Sequence, residues 1–367
     1  MQSGQLTIQY LNLVNFKNYK EAAFDFHPKL NIIAGNNGVG KTNLLDAIYY
    51  TCVSKSYLSA DNLVFRHEAD FFRIECDLSH LQSAQKIEIK YPKTGKKELA
   101  VQGVKQDKIT DYVGRFPVVM ITPDDSELIL GSSDNRRRFL DAMLSQLSKA
   151  YLSDILLYNK LLQQRNAVLK SFYENRKTDL HLLQAYDEKW VPLGKKIHLA
   201  RKNGVAALLP VFHQIYQTIF NGEEAVHIQY KSDLEDTDFD LLIKQTLQQD
   251  IAAQRSTKGI HTDDCLFSLN TFPLKKTGSQ GQQKTFLLSL KLAQYQLMKD
   301  KLACSPVLLL DDIFDKLDSN RIQQIIRLVS TDNFGQVFFS DTEKHRMEKL
   351  FDENSVTSYK IIQLGEL

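Results

Sequence analysis

The sequence predicts an α/β protein: a phosphate-loop head built from both chain ends, with a mainly helical arm domain inserted between them. Three observations lead there. Gly35-Asn36-Asn37-Gly38-Val39-Gly40-Lys41-Thr42 stands between an apolar strand and a helix-spaced stretch, the context in which a glycine-rich turn cradles phosphate. Pro306-Val307-Leu308-Leu309-Leu310-Asp311-Asp312 is an apolar run ending in two carboxylates, as a fully buried parallel strand reads. Between them, from about residue 133 to about residue 220, strand alternation gives way to long helical spacing rich in Leu, Gln, Lys and Arg.

Taken in order, residues 6–16 and 21–35 alternate apolar and polar side chains, as early strands of a sheet should. Residues 42–53 have helical spacing. Residues 71–92 and 98–106 read as further strands, with Pro-Lys-Thr-Gly-Lys-Lys at 92–97 as a hairpin turn, and 116–125 as an apolar strand running into a proline-carboxylate loop. The helical arm starts near Ser132, Ser133 or Asp134, any of which can cap it, and Gly194 and Gly204 are expected to interrupt it. Strand texture returns at 225–231, followed by a helix at about 238–254, a strand at 263–270, a loop and helix from 276, the Asp-Asp strand, a helix near 319–330 and a strand at 335–341. The expected domains are residues 1–128 (head, first part), 129–225 (helical arm) and 226–367 (head, second part).

Composition narrows the class. The 367 residues are 43% hydrophobic and 25% charged, an ordinary globular balance. No apolar run approaches the roughly 18 residues needed to span a bilayer, and the first residues lack a basic-then-apolar leader, so no membrane partner and a cytoplasmic location are expected. Cys52, Cys76, Cys265 and Cys304 are scattered without zinc or redox spacing. A net charge of +2 neither demands nor excludes nucleic acid, so any such affinity must come from local patches.

The chemistry sits in three places. In the glycine loop, Gly35, Gly38 and Gly40 let main-chain N–H groups turn toward a phosphate, Lys41 supplies charge to its oxygens, and the Thr42 hydroxyl suits Mg²⁺. The Asp-Asp strand delivers carboxylates beside that loop: Asp311 as a magnesium holder and Asp312 as the base facing an attacking water. The run Ser279-Gln280-Gly281-Gln282-Gln283-Lys284 holds no acid, histidine or cysteine, yet it opens a helix. Hydroxyl, main-chain N–H groups and helix dipole together favour an anion there, such as a γ-phosphate.

The order of phosphate loop, Ser-Gln-Gly-Gln-Gln run, helix and Asp-Asp strand resembles ATP-binding-cassette ATPases. More narrowly it resembles the RecF family, relatives of the SMC and double-strand-break-repair ATPases. Residues 11–19 (LNLVNFKNY), 122–125 (TPDD), 136–141 (RRRFLD), 163–170 (QQRNAVLK) and 279–284 (SQGQQK) carry the likeness, which extends from near residue 6 to past residue 340. The resemblance implies a cassette-type head that binds ATP and Mg²⁺. It implies that Ser279, Gln280, Gly281, Gln282 and Gln283 form a signature serving the ATP of a second copy in an ATP-dependent homodimer, and that Asp318 is the D-loop acid. It further implies a weak DNA-stimulated ATPase acting at single-strand gaps, loading recombinase, with RecR and RecO as partners. Some positions depart from the family pattern. Ile260 and Thr262 alter the segment 259–264, Asp315 and Lys316 replace Ser-Glu before Leu317-Asp318, and Ser340-Asp341-Thr342 lacks the histidine of many cassette ATPases. His345 comes too late to substitute and reads as a surface residue.

For DNA, single- or double-stranded and bound without sequence preference, the basic candidates are Lys93, Lys96 and Lys97 on the hairpin, Arg136 and Arg137 at the arm's base, and Lys195 and Lys196 within it. A charge run is as often a solvated face. The alternative class is the ATPase head of another SMC-like or transporter-type cassette protein. A transporter subunit would have a short gap between phosphate loop and signature, and a coiled-coil SMC would need longer, more regular heptads. A phosphate-loop kinase or GTPase would leave the Ser-Gln-Gly-Gln-Gln run without a role.

Overall fold

The computed structural model describes residues 4–175, 178–220, 224–315 and 317–365. The described residues divide into two compact units, one drawn from 1–125, 211–222 and 279–367, the other from 126–210 and 223–278.

The first unit holds two sheets. One is a five-stranded parallel sheet in the order Lys360–Gln363, Leu30–Ala34, Val337–Asp341, Val307–Asp311, Val118–Ile121. Its four inner-to-edge strands from Leu30 to Ile121 are buried at every residue, which is why their sequences are continuous apolar runs without alternation. Register places Asp311 opposite Ser340, and Asp341 opposite Ala34. The ends of three strands thus meet at the residue that starts the glycine loop. Ligands in open α/β sheets bind at this carboxyl edge.

The other sheet is largely antiparallel. Gly4–Phe16 pairs with Tyr19–Asp25 on one side and Phe71–His80 on the other, and Ser83–Pro92, Glu98–Val101 and Val104–Lys105 follow. The helix Lys41–Val53 packs on strands of both sheets. Being covered on both sides, it is buried at ten of its thirteen residues, and Leu44, Leu45, Ile48 and Tyr50 share one core with Phe16, Ile33, Phe72, Ile74 and Phe338. By contrast, the helix Ser319–Ser330 buries a single stripe, Ile322, Ile325, Ile326 and Val329, the spacing of a helix with one wet face.

The second unit contains the helices Ser133–Leu147, Lys149–Asn175, most of Leu180–Ile219, and Phe239–Ala253, with the antiparallel strands Val226–Lys231, Asp264–Leu269 and Phe272–Pro273. Trp190 stacks on Tyr158 with ring centroids 5.2 Å apart and packs on Phe239 at 4.9 Å. Two expectations are corrected here. Gly194 and Gly204 do not interrupt a helix: Leu180–Ile219 runs through both, and through Pro192 and Pro210. Gly194 is a close-approach site, since a Cβ there would lie 2.4 Å from the Phe239 ring.

The domain division also differs from the sequence reading. Residues 226–278 group with the helical unit rather than with the head. The cause is a set of partners made at residues 263–264: Arg136 grips Asp264 through Nε (2.7 Å) and Nη2 (3.1 Å), Arg137 Nη1 donates to the Asp263 carbonyl at 2.8 Å, and Arg201 Nη1 pairs with Asp263 Oδ2 at 2.8 Å. In the opposite direction, the described residues 211–220 belong with the head, where Phe212 packs on Phe286 with centroids 4.8 Å apart.

Candidate nucleotide-binding site

The strand Leu30–Ala34 delivers Gly35, and the loop closes on Gly40, the residue before helix Lys41–Val53. Gly40 has φ +103, a region L side chains rarely adopt, and a Cβ on it would fall 2.5 Å from Asn18 Nδ2 and 2.9 Å from the Tyr19 hydroxyl. The loop is braced from that side: the Tyr19 hydroxyl donates to Gly40 O at 2.9 Å, and Asn43 Nδ2 donates to Asn18 Oδ1 at 2.7 Å. Asn18 and Tyr19 lie in a segment whose family likeness is visible in the sequence, but no sequence signal gave either a role. Asn36, Asn37 and Gly38 are exposed, whereas Val39 is buried. Lys41 Nζ donates to the carbonyls of Gly35 (2.7 Å) and Asn36 (2.9 Å), so its ammonium lies within the turn of the loop.

Across the strand ends, the Thr42 hydroxyl donates to Asp311 Oδ1 at 3.0 Å and the Ser340 hydroxyl donates to the same oxygen at 2.5 Å. Residues separated by 269 positions in sequence are thereby joined. Burial raises the affinity of the Asp311 carboxyl for its proton, and the Ser340 and Thr42 hydroxyls pull it back down. Asp312 follows with φ +46, a left-handed conformation that costs an L residue about 1–2 kcal/mol. Its N–H donates to Ser340 Oγ at 3.0 Å. Strain of this kind persists where the surroundings over-determine it, often at functional sites. Asp341 Oδ1 accepts the Glu343 N–H at 2.8 Å, while Oδ2 is buried without a partner among the described residues. Burial raises its proton affinity, and nearby Asp312 adds to the rise. Ser340 and Asp341 were not singled out as site residues; their signal was a buried strand ending in hydroxyl and acid beside Asp311.

These residues fit the groups the family implies. An ammonium inside a glycine turn suits a phosphate chain, and a hydroxyl with a carboxylate at 3.0 Å is an all-oxygen donor pair of the kind a hard divalent cation takes.

Ser279 begins helix Gln280–Leu302 with a capping box. Its hydroxyl oxygen accepts the Gln282 N–H at 3.2 Å, and Gln282 Oε1 accepts the Ser279 N–H at 2.7 Å. Ser279 and Gln280 are exposed, and Gly281, Gln282 and Gln283 half-buried. Asp318 is exposed and caps helix Ser319–Ser330, accepting the Arg321 N–H at 3.0 Å. Lys316 lies outside the described residues. His345 is on the surface, paired with Glu348 at 3.1 Å.

The basic candidates separate into two groups. Lys97 Nζ donates to the Tyr50 hydroxyl (3.1 Å), Asp61 (2.9 Å) and the Ser54 carbonyl (2.5 Å), so it holds the hairpin to the head's core. Arg136 and Arg137 are held by Asp264 and the Asp263 carbonyl as above, and Lys195 reaches Asp238 (2.8 Å) and Asp240 (2.5 Å). Lys93, Lys96 and Lys196 are exposed, and no ion pair engages them among the described residues.

The family model for the RecF/RecN/SMC N-terminal domain matches residues 7–361. The DNA replication and repair protein RecF of Flavobacterium johnsoniae is 41% identical over 357 residues, covering 96% of this chain and 99% of the relative. The chain belongs to the RecF family. The RecF protein of Cytophaga hutchinsonii is likewise 41% identical, over 95% of this chain and 92% of its own. A solved structure of the recombination mediator protein RecF-ATPrS in the RecFOR pathway superposes with a TM-score of 0.87 at 28% identity, covering 100% of this chain and 98% of the other; the RecF-ATP structure gives 0.85 at 30%, covering 93% of each. An Smc head with extended coiled coil from Pyrococcus furiosus shares the fold alone, at a TM-score of 0.54 and 16% identity. A RecF chain is therefore a cassette-type ATPase head with an inserted helical arm, and the transporter alternative is set aside.

Proposed function

We propose that this RecF-family chain is an ATPase of DNA recombination and repair that works as an ATP-gated DNA clamp. The observation that carries the reading is the convergence of Thr42, Asp311 and Ser340 at the mouth of the Lys41 loop, within a chain related to RecF over nearly its whole length.

The loop from Gly35 to Gly40 wraps the β-phosphate with main-chain N–H groups, and Lys41 neutralises the oxygens beyond it. Thr42 and Asp311 would hold Mg²⁺, which when bound would supply charge neutralisation to the phosphate oxygens. Ser340 keeps Asp311 in place. Asp312 orients a water and takes its proton; aspartate reaches less far than glutamate, which fits slow turnover and a timing role. Ser279 and Gly281 of a second copy close over the γ-phosphate, so the two-fold dimer persists only while that phosphate does. The dimer grips DNA, single- or double-stranded, by its backbone through Lys93, Lys96 and Lys196, and RecR and RecO are its partners in loading recombinase.

Sizing the protein with and without ATP and DNA tests this. A monomer under all four conditions would count against the clamp. Asp312→Asn should trap the ATP-bound dimer; undiminished turnover in that variant would remove Asp312 as the base.

A further inference from the structure

The signature run carries no charge apart from Lys284, and the Lys284 ammonium is turned to the Asp315 carbonyl. A γ-phosphate brought to this helix start would meet N–H groups and a hydroxyl but no cation from the run itself. The structure supplies one from another helix. A Cβ built on Gly281 would lie 2.8 Å from Nη1 of Arg321, the third residue of helix Ser319–Ser330. Gly281 is therefore the point at which the guanidinium touches the signature turn.

Arg321 is held in that place from two sides. Its Nε pairs with Asp318 Oδ2 at 3.3 Å, and its guanidinium lies over the Phe220 ring at 5.3 Å. Neither interaction gives the Nη groups a hydrogen-bond acceptor, and they have none among the described residues. Arg321, Asp318 and Phe220 line an open groove of about 280 Å³ together with Gln324, so the side chain that touches Gly281 also borders open space. A planar fork with two unused donors is the geometry that suits phosphate oxygens.

We infer that Arg321 is a further ligand of the partner copy's ATP. It takes a γ-phosphate oxygen that Ser279 and the N–H groups of the signature helix also approach, and Asp318 keeps the guanidinium aimed there beforehand. This rests on the reading in which the signature serves the ATP of a second copy. It also gives the D-loop acid a role within its own chain: Asp318 caps its helix with one oxygen and steadies Arg321 with the other.

The test is Arg321→Met, which keeps a stem to cover Phe220, with Arg321→Lys as the conservative variant. Three quantities are read on the full chain: ATP affinity of the monomer at low protein concentration, the melting temperature of the nucleotide-free protein, and the ATP-driven dimerisation constant by sedimentation. Losing one charged hydrogen bond costs about tenfold, and each dimer contains two, so Arg321→Met should weaken dimerisation about 100-fold while monomer affinity and melting temperature stay put. Arg321→Lys should recover part of the loss, keeping the charge without the fork. Wild-type dimerisation by Arg321→Met overturns the inference and leaves the trans-signature reading intact. A parallel fall in melting temperature or monomer affinity also overturns it, by making Arg321 structural. Wild-type protein that stays monomeric with ATP removes the underlying reading itself.

Discussion

Lys291 offers the sharpest test of how the head is held together. It sits on the helix that begins at the signature run and is 3% exposed. Its ammonium lies 3.2 Å from Asp125 Oδ1, donates to the Tyr57 hydroxyl at 2.7 Å and stands over the Tyr57 ring at 5.0 Å. The Tyr57 hydroxyl in turn donates to Asp125 Oδ1, while Asp125 Oδ2 accepts the Thr122 N–H at 2.8 Å. Lys291→Met keeps the stem's volume, so little cavity forms, but it leaves a buried carboxylate with only neutral donors, the Tyr57 hydroxyl and the Thr122 N–H and hydroxyl. Breaking one partner of a buried pair costs about 3–5 kcal/mol. Removing both charges, as Lys291→Met with Asp125→Asn, should cost well under the sum of the single variants, with a coupling of about 1–3 kcal/mol. Urea unfolding followed by circular dichroism is the assay, because the single tryptophan, Trp190, lies in the other unit and does not report on the head. A cost below about 1 kcal/mol for Lys291→Met, the range of an exposed pair, would refute the reasoning, as would strict additivity in the double variant.

Further outcomes are open to measurement. Gly40→Ala places a methyl against Asn18 and Tyr19 at φ +103, so nucleotide titration should show ATP affinity reduced at least tenfold with circular dichroism unchanged. Reversing Lys93, Lys96 and Lys196 to Glu should make the slope of log K for DNA against log salt shallower by about 0.9 for each phosphate no longer neutralised, whereas Lys97→Glu should lower head stability instead. Burial holds the His261 imidazole below its usual range, with Tyr158 and the Ser256 carbonyl bonded to it and Arg137, Arg165 and Asp250 nearby. The unfolded imidazole binds a proton near about pH 6.5 and the folded one resists, so stability is complete above that pH and falls below it. Trp190, 6.0 Å from the His261 ring, reports this by fluorescence during urea unfolding, and His261→Gln should flatten the fall.

What was legible in the sequence follows from how each element is buried. The parallel strands are covered on both faces, so Leu30–Ala34, Val307–Asp311 and Val337–Asp341 announce themselves as unbroken apolar runs. Thr42 and Asp311 could be expected together because each ends or follows such a strand. Local chemistry hid the rest. The hairpin between His80 and Ser83 turns at Leu81 and Gln82, φ +52 and +65, without the Gly or Asn that usually marks such a turn. Nothing local in the sequence marks Arg165 or Arg201 as internal, yet both are buried. Arg165 pairs with Asp187 and Asp250, each at 2.7 Å, and Arg201 with Asp141 and Asp263. These partners lie up to 85 positions away, and spacing along a linear chain cannot reveal them. The same blindness put Lys97, Arg136, Arg137 and Lys195 among the DNA candidates: their acids arrive from elsewhere in the fold.

The capping box at Ser279 bears on how such a clamp would close. Ser279 and Gln282 satisfy each other's main-chain N–H groups through their own side chains, and Asp318 does the same for its own helix. Two helix starts that complete themselves do not need ATP in order to form. The hydroxyl oxygen of Ser279 is an acceptor in its cap, so its proton remains available to a phosphate oxygen. A surface already in its bound shape costs little ordering entropy on association. In the proposed clamp the free energy of phosphate binding would then go into joining two copies rather than into folding a loop. Such an interface would also be sensitive to the departure of a single group: once the γ-phosphate left, nothing in residues 279–283 would have changed, and the anion joining the two copies would be gone.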